Sequence, residues 1–192
     1  MRILLAGPVA ACAFVLLAGC GTPKSISPDG GGGVHRRRGD TNLVVNGDME
    51  DASLVGWASQ TPEAATCEVL SAEEPVVSGK RALVLRGTGP WMSVYSDHVV
   101  VDPSKTYRAS AWVRAKAGKA YIQIDHHGDD QWLGPSKGTQ RVAGDEWTKL
   151  SVESDLSRYP DATQLSVAVV CEGPNVEVRV DDVVLRALDG AE

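Results

Sequence analysis

Thr106-Tyr107-Arg108-Ala109-Ser110-Ala111-Trp112-Val113-Arg114-Ala115 is the stretch that decides the fold class. Tyr107, Ala109, Ala111 and Val113 alternate with Arg108, Ser110, Trp112 and Arg114. Side chains on an extended strand point to opposite faces in turn, so this period of two marks a strand with one dry and one wet face. Just downstream, Ala120 to His126 sets Ile122 and Ile124 against Tyr121, Gln123 and Asp125. Further out, Leu43 to Glu50, Cys67 to Ser71, Arg81 to Arg86 and Trp91 to Val101 (one strand or two) precede it. Trp147 to Ser154, Gln164 to Cys171 and Val176 to Leu185 follow. Gly, Pro, Asp and Ser separate the runs. No convincing helical stripe and no βαβ spacing occur from Asn42 onward, so the expected fold is all-β, an antiparallel β-sandwich.

The balance of residues agrees. The chain has 192 residues, 43% apolar and 23% charged, with a formal net charge of -6. These are ordinary values for one globular domain with tails. A nucleic-acid partner is not expected, because phosphate contacts need a surplus of Lys and Arg. A monomer is expected. No Walker A loop, Rossmann fingerprint or G-x-S-x-G elbow is present, so no enzyme is expected. Acids are plentiful, and Asp125 with Glu172 is the one conceivable carboxylate dyad. His126 and His127 are adjacent on a strand and point apart, which argues against a shared transition metal.

The first residues read as an address. Arg2 precedes an apolar run, Ile3 to Ala18, too short and interrupted for a comfortable span. Leu17-Ala18-Gly19-Cys20 resembles a bacterial lipobox, which implies a signal peptide over 1–19 and acylation of Cys20. An ordinary secretory signal cut nearby is the alternative. No Asp follows the Cys, so the outer membrane or cell surface is the expected place. Residues 20–41 contain Gly31 to Gly33, two Pro and the run Arg36-Arg37-Arg38, a composition with nothing to bury, and read as a tether. The domain is expected over 42–188 and a tail over 189–192. Cys67 and Cys171 form an even pair in an oxidising compartment and are expected to be disulfide-bonded; the alternative is two buried thiols.

Several pieces resemble a family in their order. They are Asn42-Leu43-Val44-Val45-Asn46-Gly47-Asp48-Met49-Glu50, Gly56-Trp57, Val77-Ser78-Gly79-Lys80-Arg81-Ala82-Leu83, Lys105 to Ala115, Glu146-Trp147-Thr148-Lys149-Leu150 and Val180 to Leu185. Together they are similar to carbohydrate-binding modules of families four, nine and twenty-two, which share a galactose-binding-like jelly roll. The resemblance covers about Asn42 to Ala187. It implies a non-catalytic module that binds a poly- or oligosaccharide. A structural or protein-interaction sandwich on the same fold is the alternative.

Candidate sites follow. Val176, Val178 and Val180 share one phase while Val183 and Leu185 share the other, so Asp181-Asp182 should form a bulge. A carboxylate turned inward there needs a partner. The resemblance implies a structural Ca²⁺ held by Glu50, the Lys80 carbonyl and Asp181, and hard oxygen ligands from separate segments suit that ion. The alternative is a turn whose acids accept backbone N–H bonds. For sugar binding, Arg108 and Trp112 lie on the wet face of one strand, and Tyr121, Gln123 and Asp125 on that of the next. Were the two strands neighbours, rings, amides and acids would share one surface. The resemblance adds Glu172 and the loop residue Trp91. Trp132 reads as a loop residue, either in contact at the rim or simply packed, and Trp57 and Trp147 as packing.

Overall fold

The computed structural model describes residues 41–62, 66–73, 76–129 and 131–188, with Cys67 and Glu73 as backbone alone. The expected signal peptide, Cys20, nearly all of the tether and the tail lie outside these residues. The strands are β1 (Trp57–Gln60), β2 (Thr66–Glu73), β3 (Arg81–Thr88), β4 (Trp91–Ser96), β5 (Val99–Val100), β6 (Thr106–His127), β7 (Trp132–Lys137), β8 (Val142–Glu153) and β9 (Gln164–Leu188). All pairings are antiparallel. The fold is an all-β sandwich, as the alternation implies.

Two long strands organise it. β6 has 22 residues and β9 has 25, and they pair from Thr106 opposite Leu188 to His127 opposite Gln164. The decisive stretch and the one after it are therefore one strand, not two neighbours. The inward phase changes between them. Tyr107, Ala109, Ala111, Val113 and Ala115 are buried at odd positions, then Ala120, Ile122, Ile124 and His126 at even ones. The pairing register shifts at Ala115, Ala117 and Lys119, and Gly118 has φ +80° between them. A bulge adds a residue and bends the strand. Here it turns β6 and β9 from one layer into the other.

The first half orders the strands β2-β3-β9-β6-β8. The second half orders them β1-β4-β9-β6-β7, with β5 beside the start of β9. Leu83, Leu85, Ala109, Val113, Val178 and Val180 of the first half join Met92, Val94, Ile122, Ile124, Val167 and Val169 of the second in one buried cluster. The two inward faces thus share a core, and each half keeps an outer face.

Two expectations are corrected. Leu43 to Glu50 is not a strand. Asn46 and Met49 take left-handed φ of 49° and 58°, and a Cβ on Gly47 would stand 2.1 Å from the Val183 carbonyl oxygen. Asn42 instead staples this segment to β9: its Oδ1 accepts Leu185 N–H at 3.0 Å and its Nδ2 donates to Val183 O at 2.8 Å. The expected Cys67–Cys171 disulfide is not found among the described residues, which include only the backbone of Cys67. Cys67 on β2 stands opposite Gly87 of β3, which stands opposite Val176 of β9. Cys171 lies five positions before Val176, on the other side of the corner at which β9 changes layer. Cys171 is fully buried in the core, opposite Met92 and Ala120.

Candidate functional site

The outer face of the second half forms a cleft. Register puts its side chains in ranks across the strands. Gln60, Ser93, Val170 and Tyr121 make one rank. Tyr95, Ala168, Gln123 and Lys137 make the next. Ser166, Asp125 and Pro135 make a third. Tyr121, Ala168 and Val170 pack with Tyr95 as an apolar floor separate from the main core. Trp91 stands at one end and Trp132 at the other. The central hollow holds about 220 Å³. Past Tyr95, Asp125 and Trp132 it joins a recess of about 440 Å³ lined also by His98, His127 and Ser166.

The polar groups are tied to one another. Gln123 Nε2 donates to Asp125 Oδ1 at 2.8 Å, and Trp132 Nε1 donates to the same oxygen at 3.2 Å. Burial pushes the Asp125 carboxyl above its usual range, against the pull of those two bonds and of Lys137 and His98. The Arg141 guanidinium lies 3.6 Å from the Tyr121 ring centre, a cation–π contact at the edge of the floor. Burial and then the nearby Glu172 raise the Tyr121 phenol. The His98 and His127 rings lie 3.9 Å apart, tilted by 30°, and His127 Nε2 lies 3.1 Å from Ser166 Oγ. Burial, then His98 and His126, lowers His127 to about 4, so it is neutral near pH 7 and has both a donor and an acceptor nitrogen.

The sequence candidates divide. Tyr121, Gln123 and Asp125 meet in the cleft as expected, and Trp91 lines it. Glu172 faces Trp91 and Lys119 in register, just past that end. Arg108 and Trp112 do not join them. They lie on the first half of β6, past the bulge, on the outer face of the other layer. There Arg108 Nε donates to Glu153 at 3.0 Å, and Lys149 Nζ sits 5.8 Å from the Trp112 ring centre. Trp132, expected in a loop at a rim or in plain packing, is 60% exposed and lines both hollows. Gln60, Tyr95, His98, Lys137 and Arg141 escaped sequence reading. For Tyr95 a signal existed: Trp91, Ser93 and Tyr95 alternate with Met92 and Val94.

Asp125 lies opposite Ser166, six residues along β9 from Glu172, or about 20 Å at the rise of a strand. Paired carboxyls in glycosidases stand about 5–9.5 Å apart. The conceivable dyad is therefore split.

The expected bulge is present. β9 shifts register at Asp181, which is fully buried, and Asp182 takes φ +48°. Asp181 Oδ2 accepts the N–H groups of Val77 and Ser78 at 2.8 and 3.0 Å, and Oδ1 accepts that of Asp182 at 2.7 Å. Glu50 Oε1 accepts the N–H groups of Lys80 and Arg81 at 2.8 and 2.9 Å. As arranged, both acids accept backbone N–H groups, and the bonds to Glu50 all fall on Oε1. Among the described residues no group of three or more His, Cys, Asp or Glu is placed to hold a metal.

An apolar floor, a ring at each end with Trp132 exposed, and a few linked polar groups make a cleft suited to a flat, hydroxylated ligand. Residues 41–176 match the family described as "Carbohydrate binding domain". The chain belongs to this family. Solved carbohydrate-binding modules share its fold. The CBM22-1 xylan-binding domain from Paenibacillus barcinonensis Xyn10C is 15% identical, with a TM-score of 0.59 over 75% of this chain and 93% of that one. The C-terminal family 22 module of Clostridium thermocellum Xyn10B is 17% identical, with a TM-score of 0.56 over 80% and 99%. A family 16 carbohydrate binding module is 22% identical, with a TM-score of 0.55 over 75% and 99%. In the Clostridium thermocellum CBM22-1–GH10 structure the chain spans 30% of that neighbour. No curated protein matches.

Proposed function

We propose that this carbohydrate binding domain is non-catalytic, anchored by lipid on Cys20 to the bacterial cell envelope, and holds a poly- or oligosaccharide across β4, β9, β6 and β7. The cleft carries the reading. A pyranose offers a C–H face to a ring and hydroxyls to planar polar groups. Trp132, Tyr95 and Trp91 supply rings, and Gln60, Gln123 and Lys137 supply donors and acceptors on the same surface. The open hollow and the exposed Trp132 favour this over a purely structural sandwich. The split of Asp125 from Glu172 supports a binding role without hydrolysis. Two acyl chains anchor stably where one does not, so Cys20→Ser is expected to release the protein from membranes, which fractionation and fatty-acid labelling would check.

The xylan named for the Paenibacillus barcinonensis neighbour makes xylan the first probe, within a wider polysaccharide panel. Trp132→Ala should weaken binding by roughly 30- to 700-fold, the loss of a central aromatic anchor worth about 2–4 kcal/mol. Trp112→Ala, on the other layer, should change it less than about twofold. Titration calorimetry reads both. A wild-type protein that binds nothing on the panel would end the reading. Loss on Trp112→Ala with none on Trp132→Ala would move the site to the other face.

A further inference from the structure

Trp132 is the most exposed ring at the cleft, yet it is not loose. Its indole N–H is bonded to Asp125 Oδ1 on the neighbouring strand, at 3.2 Å. Gln123, two residues away on the same strand face, donates to that oxygen at 2.8 Å. Asp125 is set between Ser166 of β9 and Pro135 of β7, where backbone pairing fixes its strand on both sides. Its Oδ1 thus accepts two of the protein's own donors. A platform that must stop moving when a ligand arrives loses affinity through side-chain ordering, and one held beforehand does not.

We propose that Asp125 is a positioning residue of the cleft: its carboxylate, steered by Gln123, holds the Trp132 indole as a fixed platform for a sugar ring. Asp125 then acts through Trp132 and does not contact the sugar. The inference rests on the carbohydrate-binding reading, but the tether can be read without any ligand.

The test uses the full chain labelled with nitrogen-15. The Trp132 indole resonance is identified by its loss in Trp132→Phe. In Asp125→Ala it should move toward the value of a free indole and exchange faster with water. In Asp125→Asn, whose amide oxygen still accepts, it should move less. With xylan as probe, Asp125→Ala should weaken binding about tenfold and Asp125→Asn less than about threefold. In a Trp132→Ala background, Asp125→Ala should add under twofold, since coupled residues are not additive. An indole resonance unchanged in Asp125→Ala overturns the proposal. So does a full additional loss in the double variant, which would make Asp125 a direct sugar ligand. If Asp125→Ala does not fold, Asp125→Asn and Gln123→Leu supply the same comparison. Wild-type protein that ignores xylan while its indole remains tethered counts against the carbohydrate reading and leaves the tether standing.

Discussion

Asp181 is a carboxylate with no exposure, on a strand rich in valines. Burial raises its pKa, and the N–H groups of Ser78, Val77 and Asp182 pull it back. It holds the turn before β3 against β9, and its neighbour Asp182 accepts from the Ser78 hydroxyl at 2.7 Å. The phase break between Val180 and Val183 made this residue legible in the sequence. Its partners were not, because Val77 and Ser78 lie more than a hundred positions away. Asp181→Ala would leave three N–H groups without their acceptor, and a loss of about 2–4 kcal/mol is expected. For a domain of this size that is roughly 4–16 °C in Tm. The Ca²⁺ expected on Glu50, the Lys80 carbonyl and Asp181 is tested by a chelator, which leaves the wild-type Tm unchanged if the N–H groups alone fill the acid's role. A fall of several degrees in chelator that Asp181→Ala abolishes would instead assign Ca²⁺ to Glu50, the Lys80 carbonyl and Asp181.

β6 shows at the level of the element what period-two reading finds and what it loses. Its two alternating runs were visible, and so were β2, β3 and β8 in their essentials. Their continuity was hidden, because Lys116 to Lys119 breaks the alternation as a turn would. With the break read as a turn, Trp112 and Tyr121 fell on one face. With a bulge they fall on opposite layers, which moves Arg108 and Trp112 out of the cleft. The ranks that bring in Gln60, Tyr95 and Lys137 are set by pairing between distant strands, which composition does not encode. Gly118 is the point where this geometry depends on one residue. It has φ +80°, and a Cβ there would come 2.9 Å from the Glu172 carbonyl oxygen and 3.2 Å from that of Asn175. Gly118→Ala is expected to cost about 1–3 kcal/mol, from left-handed strain and from that contact. Denaturant melts would show it as a lower midpoint with an unchanged slope. An unchanged midpoint would mean that the corner relaxes freely.

For the molecule as a whole, the two outer faces differ. The first half presents Arg108 with Glu153, Arg114 with Asp145 and Lys116 with Glu177, ion pairs at a solvated surface that add little stability. The second half presents the cleft, and its far end carries the imidazoles that tie stability to pH. His126 is fully buried, its ring stacked 4.4 Å from Tyr159, its Nδ1 3.0 Å from Gly134 O and its Nε2 without a hydrogen-bond partner. Burial lowers its pKa, and His127 falls to about 4. Both stay neutral in the fold at pH values where the unfolded chain takes up protons, near 6.5. A depressed pKa gives stability that is present above the unfolded value and lost as pH falls toward the folded one. For His127 the window runs from about 6.5 down to about 4. Asp125 and Asp181, raised by burial, run the other way and gain as pH falls through their folded values. The wild-type curve is therefore a difference, and a substitution isolates one contributor. His127→Gln keeps a polar partner for Ser166 and removes the titration. Its Tm drop between pH 7 and pH 4.5 should be smaller than that of the wild type. A proton bound only by the unfolded chain costs at most about 1.4 kcal/mol per pH unit, less for a half-buried ring. Equal drops in the two proteins would show that His127 titrates alike in both states, and that other groups, buried His126 among them, set the acid side of the curve.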